Sequence, residues 1–196
     1  MPRQPIPKKI RDALLVEFGH RCAKCGSDKP QVHHIDEDAT NNASGNLLPL
    51  CPNCHIRDQH SPTTRIEPEK LRLFRKYKDP AIFKPQFHPI FIRLSFLDSV
   101  VSGDEPIGYL AAASDELIRF IQEFAMGSYY AQRLAELLEF PEIDRLNILN
   151  SDPRPQLDAE RARRYLAYRD QLLRNRDSAK RLIIEQLRYQ NWPSDT

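Results

Sequence analysis

Four cysteines, Cys22, Cys25, Cys51 and Cys54, fall in two pairs, and each pair encloses two residues. Thiolates at that spacing come off one tight turn and can share a tetrahedral Zn²⁺, so the two pairs together complete a structural zinc site. Gly26 follows the first pair and can take the positive φ that such a turn needs, while Pro52 pre-sets the turn of the second. The alternatives are disulfides or unrelated buried thiols. Met1 to Lys9 is rich in Pro and Lys and holds no apolar stretch resembling a secretory leader, so a reducing, cytoplasmic setting is expected and disulfides are disfavoured.

Between the pairs stand the adjacent histidines His33 and His34 and the carboxamide Asn46, and His55 directly follows Cys54. Imidazoles ligate divalent cations and exchange protons near neutral pH, which suits them to metal-assisted hydrolysis. The elements that must position them are short. Gln31 to Ile35 reads as a strand, residues 36–45 as a polar, turn-rich loop, Asn46 to Leu50 as a second strand, and His55 to His60 as a helix stopped before Pro62. Neighbours on a regular strand point to opposite faces, so His33 and His34 serve one site only where the strand ends or distorts.

The string Cys22, Cys25, His33-His34-Ile35, Asn46-Leu47, Leu50-Cys51 and Cys54-His55 resembles the HNH endonucleases, the zinc-stapled ββα-metal nucleases, over Arg21 to His60. The resemblance implies an α+β, treble-clef-like nuclease domain and metal-dependent hydrolysis of DNA phosphodiester bonds, leaving 5′-phosphate and 3′-hydroxyl ends. It makes His34 the general base and Asn46 the residue that fixes the base by bonding across the loop. It gives His33 and His55 to a catalytic divalent cation, and Cys22, Cys25, Cys51 and Cys54 to structural zinc. Mg²⁺ is the default cation from abundance, and imidazole ligands also accept Mn²⁺ or Ni²⁺. Gln59 and His60 are the candidates for a third protein ligand, about one helical turn beyond His55. A single site of this kind nicks one strand. Compact proteins of the family it resembles occur in restriction, other anti-phage defence, phage packaging and mobile elements, and the resemblance points to defence or restriction as the setting to expect. The competing reading is a non-catalytic zinc module that binds nucleic acid or recruits a protein, but it has no use for His33, His34, Asn46 and His55 together.

Charge is unevenly spread over the 196 residues. Residues 1–84 carry 15 Lys/Arg against 10 Asp/Glu, and residues 85–196 carry 14 against 17. The positive half is the one that bears the motif, as a DNA-facing domain requires. Pro7 opens a helix with Ile10, Leu14, Leu15 and Phe18 at core spacing, closed by Gly19 and His20. A second basic helix starts near Pro68, with Leu71, Phe74 and Tyr77 inward and Lys70, Arg72, Arg75, Lys76 and Lys78 outward, free to track phosphates.

Residues 85–113, punctuated by proline, read as a connection in which Pro89 to Leu97 is a strand or the start of a helix. From residue 114 to 196 the pattern is helical: Asp115 to Met126 behind an N-cap at Ser114 and ended by Gly127, Tyr129 to Phe140, and, after a break at Asp152 to Pro155, Asp158 to Arg176 and Ala179 to Asn191. The expected organisation is therefore a nuclease domain at 1–84, a connection at 85–113 and a helical domain at 114–196. Nothing in the helical part has catalytic spacing. Residues 91–148 hold ten Asp/Glu against four Lys/Arg, which favours a partner protein or a second copy over DNA. No apolar run approaches the roughly twenty residues that a membrane helix needs.

Overall fold

The computed structural model describes residues 5–59, 61, 65–103, 105–140 and 155–190. His60, Pro62, Arg3, most of the expected break at 152–155, and Glu142 and Asp144 of the acidic stretch lie outside them. The described residues are α+β, with one two-stranded sheet and otherwise helices, and they divide into two compact units, residues 1–83 and 84–196.

In the first unit, α1 (Lys8–Glu17) begins one residue later than expected, with Pro7 at the N-cap. It ends in two left-handed residues, Gly19 (φ 59°) and His20 (φ 59°), where His20 N–H donates to Leu15 O at 2.7 Å. Strands β1 (Gln31–His34) and β2 (Leu47–Leu50) pair antiparallel, with His33 opposite Leu48 and His34 opposite Leu47. A single 3-10 turn, Ser44–Asn46, leads into β2, so Asn46 precedes the strand instead of opening it. Leu47, Leu48 and Leu50 are all buried, because α1 packs on β2 while α2 (Pro52–Gln59) packs on both strands. Covering both faces is what a continuous apolar strand requires, at about 1.5–3 kcal/mol per large side chain removed from water.

Helix α2 starts at Pro52, three residues before the expected His55, since proline is well placed in a first helical turn. The second cysteine pair therefore straddles a helix start. Helix α3 (Pro68–Tyr77) begins where expected, but its cations are not a free row. Lys70 is buried among Leu71, Leu73 and Phe74. Arg75 makes a bidentate pair with Glu17 at 2.7 Å, Lys78 bonds the same carboxylate at 2.6 Å, and Arg72 pairs with Glu69 at 3.0 Å. Arg75 also donates to Ser44 O at 3.2 Å, tying α1, α3 and the turn before Asn46 together.

The second unit is helical: α4 (Phe87–Leu94), α5 (Phe96–Ser99), α6 (Ile107–Gln122), α7 (Gly127–Leu138) and α8 (Pro155–Gln190). The segment 85–113 thus carries helices that pack within this unit, and Pro89 to Leu97 is helical. Helix α6 starts eight residues before the expected Asp115. Its buried stripe is Leu110, Ser114, Leu117 and Ile121, and Ser114 hydrogen-bonds Tyr168 Oη at 2.9 Å instead of capping the helix. Gly127 opens α7 where it was expected to end α6. A Cβ there would lie 2.1 Å from Gln122 O, so only glycine lets the two helices meet this closely. The two final helices are one, because no Gly or Pro interrupts residues 156–190, and Asn175 spends its carboxamide on Leu137 O at 2.9 Å. Among the described residues, no helix is long and apolar enough to cross a membrane.

Candidate metal centre and histidine site

The first cysteine turn is built by its own backbone. Gly26 N–H donates to Cys22 O at 2.9 Å with Gly26 at φ 74°, and Cys22 N–H donates to Ser27 O at 2.8 Å. Ala23 N–H reaches Pro49 O at 2.8 Å, which fastens this turn to β2. The second pair sits at the N-terminus of α2, where His55 N–H donates to Cys51 O at 2.8 Å and Cys54 N–H points at Cys51 Sγ, 3.4 Å away.

The four sulfurs all lie within 4.8 Å of one another, and Cys25 and Cys51 are 3.6 Å apart. Four thiolates at about 2.3 Å from one zinc are spaced by about 3.8 Å, so the cluster fits such an ion with little movement. Cys22, Cys51 and Cys54 are buried and Cys25 is exposed. Burial pushes the Cys22 and Cys54 thiols up, whereas the hydrogen bond with Ser27 at 3.2 Å draws Cys25 down to about 6. These residues can hold a structural metal ion such as zinc, tying the first turn to the start of α2 and fixing the hairpin between them.

His33 and His34 are both buried, and they go to different partners. The His33 ring meets the His55 ring on α2, with centroids 5.2 Å apart and planes at 68°. His34 is the last residue of β1, and its Nε2 lies 3.1 Å from Asn42 Oδ1 in the loop. Asn46 bonds across the loop to Asp36 and Asn41. It accepts from Asp36 N–H at 3.1 Å and donates to Asp36 Oδ1 at 2.7 Å and to Asn41 O at 3.0 Å. Asn41 Nδ2 holds the other oxygen of Asp36 at 2.7 Å. Against the raising effect of burial, these bonds from Asn46 and Asn41 keep Asp36 below the ordinary carboxylate range.

The structure thus brings the four cysteines together and His33 to His55, and places His34 with Asn42. Gln59, one turn beyond His55 on α2, is buried, and His60 lies outside the described residues. Asn42, Asp36 and Asn41 fall in the segment that the sequence reads only as a turn-rich loop; the signal for them is the density of carboxamides and carboxylates between His34 and Asn46. No family model matches the chain, and no curated protein and no solved structure is similar to it at a significant level.

Proposed function

We propose that residues 1–83 form an HNH-type, treble-clef-like endonuclease unit that hydrolyses DNA phosphodiester bonds with a divalent cation. The observation that carries this reading is the meeting of the His33 and His55 rings beside a strand that ends on His34. Two imidazoles that bind one ion at about 2.0–2.1 Å hold their ring centres about 5 Å apart, the separation seen here. His33 and His55 would hold the cation, and Cys22, Cys25, Cys51 and Cys54 a structural zinc. When bound, the cation supplies charge neutralisation on the phosphorane and on the departing 3′ oxygen. His34 takes the proton from the attacking water at a ring nitrogen, a transfer that contributes about 10²–10⁴-fold. Asn46 keeps the loop that faces His34 in one shape.

Cleavage of supercoiled plasmid by the purified full chain, with Mg²⁺, Mn²⁺ or Ni²⁺ added, tests the reading. Nicking is expected, and His34→Ala should lower it at least about 100-fold with zinc content and far-UV dichroism unchanged. Well-folded, zinc-loaded protein that leaves both DNA and RNA intact with all three cations, or a His34→Ala variant as active as wild type, would sink it.

A further inference from the structure

The nuclease motif assigns no role to Asn42, yet Asn42 is the residue that touches the candidate base. An imidazole has two nitrogens, and in the neutral ring one carries the proton while the other offers a lone pair. At His34 the Nε2 side faces a carbonyl-type oxygen, Asn42 Oδ1, at 3.1 Å, and among the described residues the ring makes no other hydrogen bond. An acceptor there selects the proton onto Nε2 and leaves the lone pair on Nδ1.

Asn42 is itself held from both sides. Asn41 Oδ1 accepts from Ala43 N–H at 3.2 Å, closing the backbone around Asn42, and Asn42 N–H donates to Thr40 O at 3.2 Å. Asn41 in turn is anchored to Asp36, and Asp36 to Asn46. A chain of contacts therefore runs from Asn46 through Asp36 and Asn41 to Asn42 and ends on the ring of His34.

We infer that Asn42 is the positioning residue of the base: it fixes the His34 ring and its Nε2–H tautomer so that Nδ1 is the atom that accepts the proton from water, and Asn46 acts on the base through it. The inference rests on the nuclease reading for the role of His34, but the tautomer it specifies can be read without any activity. A group that fixes a reacting imidazole in this way changes the rate by about 10- to 100-fold, as outer partners of functional histidines do.

The test uses the zinc-loaded full chain with ¹⁵N-labelled histidine. His34 is identified by the signals lost in His34→Ala, and two-bond ¹H–¹⁵N correlations then report which ring nitrogen carries the proton. Wild type should show His34 as the Nε2–H form. Asn42→Ala should give a mixture of tautomers and a kcat lowered by about 10- to 100-fold, with KM and zinc content unchanged. Asn42→Asp retains an acceptor oxygen and should restore the single tautomer. Asn46→Ala combined with Asn42→Ala should cost no more than Asn42→Ala alone, because both act along one chain. A wild-type ring protonated on Nδ1, or an Asn42→Ala variant with unchanged tautomer and unchanged kcat, overturns the inference. The expected tautomers in a protein that cleaves nothing would instead overturn the nuclease reading and leave the hydrogen bond standing.

Discussion

The two units solve the problem of stability by different means. In residues 84–196 helices bury one another through leucine, isoleucine and aromatic side chains, and the buried polar groups serve as fasteners. Ser114 and Leu138 O both bond Tyr168 Oη, Gln186 caps the carbonyls of Ile121 and Ala125, and Lys180 reaches Asp98. In residues 1–83 the core is a hairpin of two four-residue strands flanked by helices, and the buried polar groups include His33, His34, Asn46 and Gln59, all clustered in sequence about the cysteines. With so short a sheet the apolar core of this unit is modest, and the four-cysteine cluster could hold a metal ion that adds a staple to it. Where stability comes from packing, side-chain chemistry is free to be bland. Where it comes from a staple, the short elements can be given over to reactive groups.

The sharpest way to break that comparison is to remove the staple. Cys51→Ala, or a strong chelator, takes away a ligand together with the sulfur that meets Cys54 N–H at the start of α2. The expected loss is more than about 5 kcal/mol, enough to unfold the unit, because structural zinc contributes about 10–16 kcal/mol of apparent binding energy to folding. Amide hydrogen exchange should show residues 8–59 unprotected while α6 and α7 keep their protection. Protection kept throughout would mean that the cysteine cluster is incidental. The counterpart is Leu117→Ala, a side chain with no exposure in the middle of α6. It should cost about 2–5 kcal/mol in urea denaturation, through lost transfer energy and the cavity left behind, with zinc content and His33–His55 geometry untouched. A cost below about 1 kcal/mol would show that the helical unit does not depend on close packing either.

The same contrast explains what the sequence reveals. Cysteine spacing, Gly26, the proline at the head of α3 and the apolar run of β2 act locally, so the cysteine turns, the hairpin and the first helix can be read from the residues alone. Helix limits in the second unit are set by tertiary partners. Ser114 looks like a cap until Tyr168 is placed against it, and the stripe from Leu110 then runs through it without a break. Residues 177–178 look like a gap until Asn175 is seen to spend its carboxamide on α7. Lys70 reads as an outward cation because its charge is visible and its burial is not. At the histidine site the motif supplies His33, His34, Asn46 and His55, but the contact with Asn42 depends on how the loop folds back. No spacing rule encodes that.

The smallest effect concerns the ion pairs that join the elements of the first unit. The Arg75 guanidinium, bonded bidentate to Glu17, holds that carboxyl down to about 2 from an ordinary 4.5, with Lys78 adding to the effect against the raising influence of burial. A carboxyl with a depressed folded value contributes stability above the unfolded value and loses it as pH falls, here between about 4.5 and about 2. Because the Glu17 side chain is 32% exposed and screened by solvent, the contribution at pH 7 is about 1–2 kcal/mol, less than the full shift would suggest. Glu17→Gln should destabilise the unit by that amount in urea at pH 6 and by less in high salt. Protons also compete with zinc for the thiols as pH falls, but that loss is common to both proteins and cancels in their difference. Protonated glutamate is close in shape to glutamine, so the gap between variant and wild type should shrink steadily from pH 4.5 downward. A gap that stays constant over that range would mean that Glu17 contributes shape and not charge, and that the first unit relies on packing more than its small core suggests.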